Sequence, residues 1–527
     1  MGTSGARKGL RRGGLAGSAA LALLTGCVTR DGGPVLPTGP EAAARGARCG
    51  VDAAALDRDV APAADFVAYA TGGWEAEGPV TDALSAAARE ALSAVSTPAD
   101  RFLEAYAARD PSDAAGAEPV LRAAHDLLEE RDRAKLAEAA ALAALRGGTT
   151  PFRVGAYPDP EEPGLTTLIV GAGGAPLGDP DAYEANEAAY TARVEATLSL
   201  LGAERPERLA RRVVAFERRL SEAAARSEAA YTPRSPDALA RLRAGDPWRA
   251  YFAALGTDTE AGAEAVQLRD IGALSGAARA WRSARRETLA AYLAFHRVSD
   301  VATFLPPAYG AARDEGAARA VAERLFAAEE GALLRGRVTP GTRALAEAVA
   351  LGVLGEDVPV VIAGGPGAYA VPPEAEEATA AGVEAAALGR GRARIARAGE
   401  ATRTEDRIGS PLDAAPRRDR ATGALDLPAA LLQGPVYATG DAPGVYGALG
   451  GLIARASGEE ASAALARARA AYEASPASGN AEDRCRLTPD QRFYIGFAQG
   501  LRGTVPDRAL NAAVRADAAW VAAFDED

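Results

Sequence analysis

Apolar side chains recur at helical spacing along most of this chain, and that periodicity constrains the fold more than any other feature. Leu209, Val213, Phe216 and Leu220 fall on one face of a helix, with Arg211, Arg212, Arg218 and Arg219 interleaved on the other. Residues 120–146 and 278–298 read as amphipathic helices in the same way. Ala, Leu, Arg and Glu, all good helix formers, dominate these stretches. Thr488-Pro489-Asp490-Gln491 predicts a helix start: Thr as N-cap, Pro in the first helical position, Gln closing the capping box. Phe493, Phe497 and Leu501 then form its buried stripe. Strand candidates are few, Leu165–Val170 and Val358–Ile362, and no internal repeat stands out. The expected fold class is mainly α.

Composition narrows the chemistry. Among 527 residues there are 2 His and 3 Cys. Three scattered Cys cannot build a four-cysteine zinc cluster, and two His cannot build a three-histidine site. His125 and His296 are far apart, each alone on a helix, and read as surface or packing residues. Lys8 and Lys135 are the two lysines, and neither stands in the Gly-Lys-Ser/Thr context of a Walker A loop. Gly171-Ala172-Gly173-Gly174-Ala175-Pro176 puts Pro where a dinucleotide fingerprint needs its third Gly, so it reads as a turn. Gly364-Gly365-Pro366-Gly367 reads likewise. No nucleotide partner is expected. A formal net charge of -12 also argues against a nucleic-acid partner, because phosphate neutralisation requires a basic surface.

The first 27 residues read as an address. Arg7, Lys8, Arg11 and Arg12 form a positive region, and Leu15–Leu24 is an apolar run too short to span a bilayer. The run ends in Leu24-Thr25-Gly26-Cys27, which looks like a bacterial lipobox. Such a cysteine is acylated and becomes the first residue, so Cys27 is the expected lipidation site and the membrane an expected partner. Val28, in place of an Asp associated with inner-membrane retention, favours an outer-membrane or cell-surface location in the envelope. Residues 28–48, rich in Gly and Pro, read as a flexible tether. Cys49 and Cys485 remain; in an oxidising compartment they form either a disulfide or two free thiols.

Four segments resemble the neprilysin and endothelin-converting-enzyme family of zinc metallopeptidases. The first is Asp65-Phe66-Val67-Ala68-Tyr69-Ala70-Thr71-Gly72-Gly73-Trp74, similar to the run that opens that family's ectodomain. The second is Gly174-Ala175-Pro176-Leu177-Gly178-Asp179-Pro180 with Tyr183. The third joins Leu427-Pro428-Ala429-Ala430-Leu431-Leu432-Gln433 to Tyr446-Gly447-Ala448-Leu449-Gly450-Gly451-Leu452-Ile453. The fourth is Thr488-Pro489-Asp490-Gln491-Arg492-Phe493-Tyr494 through Ala498-Gln499. The resemblance implies a two-lobed, mainly α neprilysin-like metallopeptidase fold with few short strands and a truncated C-terminal catalytic lobe. Its parts would be an opening segment at 49–100, a helical lobe at 101–410 and a degenerate catalytic lobe at 411–527. The opening segment would pack on the C-terminal lobe, which fits a Cys49–Cys485 bridge.

The resemblance fails where the family's chemistry resides. There the Tyr-Gly block runs into His-Glu-x-x-His, two zinc ligands one helical turn apart with a general base between them. Here Arg455 and Glu459 stand at the ligand positions and Ala456 at the base. A guanidinium does not ligate zinc and repels it. Residues 459–487 hold no third-ligand motif, and the alternative register, with Gly447–Leu452 on the third-ligand helix, offers no Glu there either. Ala415-Pro416-Arg417-Arg418 replaces the family's substrate-binding stretch, and Asp517-Ala518-Ala519-Trp520 replaces its late His block. The expectation is therefore no catalytic residue, no metal ligand and no zinc: a pseudopeptidase that takes peptides or a protein partner into the cleft between lobes. The rival expectation is an active metalloendopeptidase with a non-standard metal centre.

Overall fold

The computed structural model describes residues 49–74, 78–110, 116–162, 164–226, 230–234, 247–257, 266–309, 314–355, 358–363, 373–401, 412–418, 424–433, 441–479 and 481–524. All fall in one compact unit, Leu36–Asp527. The leader with Cys27, the whole tether and Gly364–Gly367 lie outside the described residues.

Two hydrophobic cores organise this unit, and the chain passes between them. Helices α1 (Phe66–Thr71) and α2 (Val80–Ser93) belong to the second core. The first core follows, with α3 (Pro98–Ala108), α4 (Glu118–Glu129) and α5 (Arg133–Leu145), then strands β1 (Phe152–Pro158) and β2 (Thr166–Ala172). Helices α6 (Pro180–Leu200) and α7 (Pro206–Ala225), strand β3 (Tyr231–Arg234), helix α8 (Trp248–Leu255) and strand β4 (Val266–Arg269) come next. Helices α9 (Ile271–Ser283), α10 (Arg286–Ser299) and α11 (Glu315–Leu325) complete that run. Helices α12 (Ala327–Arg337) and α13 (Pro340–Leu354) and strand β5 (Val360–Ala363) return to the second core. Helix α14 (Ala380–Ile395) goes back to the first. Strands β6 (Arg417–Arg418) and β7 (Leu425–Pro428) and helices α15 (Ala442–Ala456), α16 (Ala461–Ala474), α17 (Pro489–Leu501), α18 (Asp507–Arg515) and α19 (Ala518–Phe524) finish the second. Residues 101–410 are thus shared between the cores, with 334–362 packed in the second.

The strands form two small sheets, in the order β1-β2-β4-β3 and β5-β7-β6. Both candidates from the sequence are present, as β2 and β5. Strands β3 and β4, with four residues each, and β6, with two, are too short to carry a period-2 signal, whereas the seven-residue β1 escaped the sequence reading. Strand β5 pairs in parallel with β7, Ile362 opposite Leu427.

Two helices expected to be continuous are broken. The 120–146 stretch divides at Glu130–Asp132, because Asp132 caps α5 by accepting from Ala134 N and the Glu130 carboxylate accepts from Arg131 N and Asp132 N. The 278–298 stretch divides at Ala284–Arg285. There Arg133 donates to the carbonyls of Trp281, Arg282 and Ala284, satisfying the open end of α9. By contrast the capping box at Thr488 forms as expected, with Gln491 N on Thr488 Oγ1 and Thr488 N on Gln491 Oε1. No helix among the described residues is long and apolar enough to cross a membrane.

Candidate functional site

The helix on which a zinc motif would stand is α15. Asp441 caps its N-terminus, and every residue from Pro443 to Ala454 is buried. Four glycines within two turns let other backbones come close. A Cβ on Gly447 would strike the Phe493 carbonyl oxygen and lie 2.8 Å from Phe497 N. One on Gly451 would lie 2.9 Å from the Phe497 ring, and one on Gly500 of α17 would lie 2.7 Å from Ala448 Cα. Helices α15 and α17 therefore meet backbone to backbone. The opposite side of α15 is covered as well, since a Cβ on Gly450 would lie 3.0 Å from Ala468 of α16 and 3.4 Å from Val353 of α13. A glutamate at position 451, or any larger side chain along this face, has no room.

Of the three positions where the resemblance would put the zinc motif, Arg455 and Ala456 close α15 and Glu459 lies in the turn beyond it. Helix geometry stops at Ala456, and Gly458 turns the chain at φ +95°. The Arg455 guanidinium donates to the Glu459 carbonyl oxygen, while the Glu459 carboxylate pairs with Arg467 at 2.8 Å. These residues tie the α15–α16 turn together and direct no lone pairs to a common point. Among the described residues, no three His, Cys, Asp or Glu side chains gather as a metal site would require. The donor set does not fit zinc, because α15 carries no His, Cys, Asp or Glu.

The first and fourth resembling segments are brought together. Gln499 of α17 accepts from Asp52 N at 3.0 Å and donates to the carbonyls of Asp52 and Ala70, at 2.9 and 3.0 Å. Trp74 Nε1 donates to Asp52 Oδ2 at 2.7 Å, with the Arg502 guanidinium over its ring. Asn511 Oδ1 accepts from Phe66 N, and its amide donates to the Asp65 carboxylate. The Ala68 N–H, then Asn511, hold the Asp65 carboxyl below the usual carboxylate range. Phe66 meets Trp520 edge-on at 5.5 Å. Cys49 and Cys485 are disulfide-bonded across 436 positions of sequence, with Cα atoms 5.3 Å apart. Closing so long a loop stabilises the fold by about 2–4 kcal/mol. Cys49→Ser with Cys485→Ser is expected to lower the denaturant midpoint accordingly; an unchanged midpoint would show that the noncovalent clasp suffices.

The two histidines do not meet. His125 is exposed, its Nδ1 2.9 Å from the Leu201 carbonyl oxygen. His296 is buried in the first core, its Nε2 2.7 Å from Glu217 Oε1. Tyr183 OH donates to Glu217 Oε2 at 3.1 Å, and Tyr292 OH donates to the Gly174 carbonyl. Burial, then the Glu217 charge, pushes the phenols of Tyr183, Tyr190 and Tyr292 far above their usual range. Glu217 and His296 are 0% and 3% exposed, so substrate cannot reach them and the cluster is a packing element. Glu217 escaped the sequence reading, although it falls on the Val213–Leu220 stripe, where an acidic residue on an apolar face signals a buried partner.

Set beside known proteins, residues 62–321 match the family model described as "Peptidase family M13". The chain belongs to peptidase family M13. Solved structures share the fold of this M13 chain at low identity. One is the Mycobacterium tuberculosis zinc metalloprotease Zmp1 in complex with an inhibitor: 17% identity, 91% of this chain and 97% of that one covered, TM-score 0.68. Another is PepO from Lactobacillus rhamnosis HN001, at 15% identity, 89% and 97% coverage and TM-score 0.59. A Haemonchus galactose-containing glycoprotein complex matches at 12% identity, 90% and 95% coverage and TM-score 0.56. No curated protein matches in sequence.

Proposed function

We propose that this M13 chain is an envelope-anchored lipoprotein that binds peptides or a protein partner without hydrolysing them. The observation that carries this reading is α15: its length is buried, it bears no metal donor, and its glycines hold it against α17 where a ligand side chain would have to stand. Arg455 and Glu459 are engaged in holding a turn. Anchoring rests on Leu24-Thr25-Gly26-Cys27, with acylation at Cys27 giving stable attachment when several chains are carried. The Zmp1 relative is described as a zinc metalloprotease bound to an inhibitor; in this chain the same architecture serves capture, and the ligand lies between the two cores.

Incubating the full chain with a mixed peptide library tests the reading. The expected outcome is that a subset of peptides is retained intact and that a chelator changes nothing. New peptide termini that a chelator abolishes would overturn it, and absence of any retained peptide would remove the binding role.

A further inference from the structure

Among the described residues the chain crosses between the two cores four times, at 92–99, 326–334, 362–375 and 395–412. The first two crossings lie side by side. Arg89 of α2, in the second core, pairs with Glu323 of α11, in the first, at 2.7 Å. Arg337 of α12 reaches back to the Ala91 carbonyl at 3.2 Å. Between these contacts stands Glu330 of α12, 5% exposed, its Oε2 without a hydrogen-bond partner.

The groups facing Glu330 are mostly of its own sign. They are Glu323 from α11, Asp100 from α3 and Glu329 from α12 itself, with Arg89 from α2 as the cation. Arg89 is already engaged by Glu323. Strand β5, also packed on α12, brings Val360, Val361, Ile362 and Ala363 and no charge. A neutral carboxylic acid is tolerated in such a place, and a carboxylate is not.

We propose that the paired crossings α2–α3 and α11–α12 form a pH-sensitive joint between the two cores, closed while Glu330 is protonated and loosened when it ionises. Burial, then the charges of Glu323 and Asp100, pushes the Glu330 carboxyl up to about 8. The sign follows from a pKa raised in the packed state. Below the ordinary carboxylate value, both packed and loosened forms hold the proton and packing is intact. As pH climbs from there through the raised value, the loosened form releases its proton first and the joint weakens. The joint stands apart from any question of what the cleft binds.

Amide hydrogen exchange on the full chain, corrected for intrinsic rates, reads the joint directly. Amides at 92–99 and 326–337 are expected to lose protection about tenfold or more between pH 6 and 9, against a constant reference in α10. Glu330→Gln is expected to hold that protection constant across the range. Asp100→Asn, which removes a repelling charge while keeping an N-terminal capping side chain, is expected to leave the joint better protected than wild type at pH 9, because the ionised Glu330 is then less unfavourable in the packed state. Equal loss in wild type and Glu330→Gln, a flat wild-type profile, or a loss in Asp100→Asn as large as in wild type would each overturn the proposal.

Discussion

Gly447→Ala is expected to destabilise the second core by about 3–5 kcal/mol, a large loss for a single methyl group. The new Cβ would strike the Phe493 carbonyl and crowd Phe497 N, and both are backbone atoms that no rotamer change can move. Helices α15 and α17 must separate, and Gln499, which fastens the N-terminal segment from α17, moves with them. Gly336→Ala is the control. Gly336 is an exposed glycine of α12 with open space around its Cα, so alanine there is neutral or stabilising by up to about 1 kcal/mol through helix propensity. Calorimetry distinguishes the two, with a fall on the order of 10 °C expected for Gly447→Ala. A midpoint like that of Gly336→Ala would mean that α15 and α17 are not held in backbone contact.

Arg492→Ala is expected to cost about 3–5 kcal/mol. Arg492 is fully buried at the start of α17. Its Nε donates to Asp441 Oδ2 at 3.1 Å, its Nη1 to the Leu487 carbonyl and its Nη2 to the Glu482 carbonyl, both at 2.8 Å. Alanine would take a buried cation from the Asp441 carboxylate, leaving the more exposed Arg484 3.4 Å away, and would remove one donor from each of the two carbonyls. Because Asp441 also caps α15, the damage spreads to that helix. Arg492→Lys keeps the charge but not the three-way fork, and is expected to lose less. Denaturant titration should rank wild type above Arg492→Lys above Arg492→Ala; equal midpoints would contradict this assignment.

The helical character, the Thr488 capping box and two strands were legible because each rests on neighbouring residues. The breaks at Glu130–Asp132 and Ala284–Arg285 were less so. The second depends on Arg133 reaching carbonyls roughly 150 positions away, which no local window contains. Two lobes were implied by the family resemblance, but the assignment of helices to cores was hidden, since α12 and α13 read as helices whichever core they join. At the site, the residue types at Arg455, Ala456 and Glu459 could be read from the sequence alone. What the glycines of α15 do could not, because a glycine records the approach of another backbone only once both helices are placed. The buried Glu217–His296 pair lies between these cases: each residue was visible on its helix, but not their meeting across 79 positions.

The central claim is an M13 fold without an M13 metal centre, and zinc content tests it most directly. The full chain, purified without chelator and dialysed against micromolar zinc, is expected to retain well below about one-tenth of a zinc ion per chain, because a stable site needs three or four converging protein donors. Retention near one zinc per chain, lost on chelation together with peptide cleavage, would contradict the account.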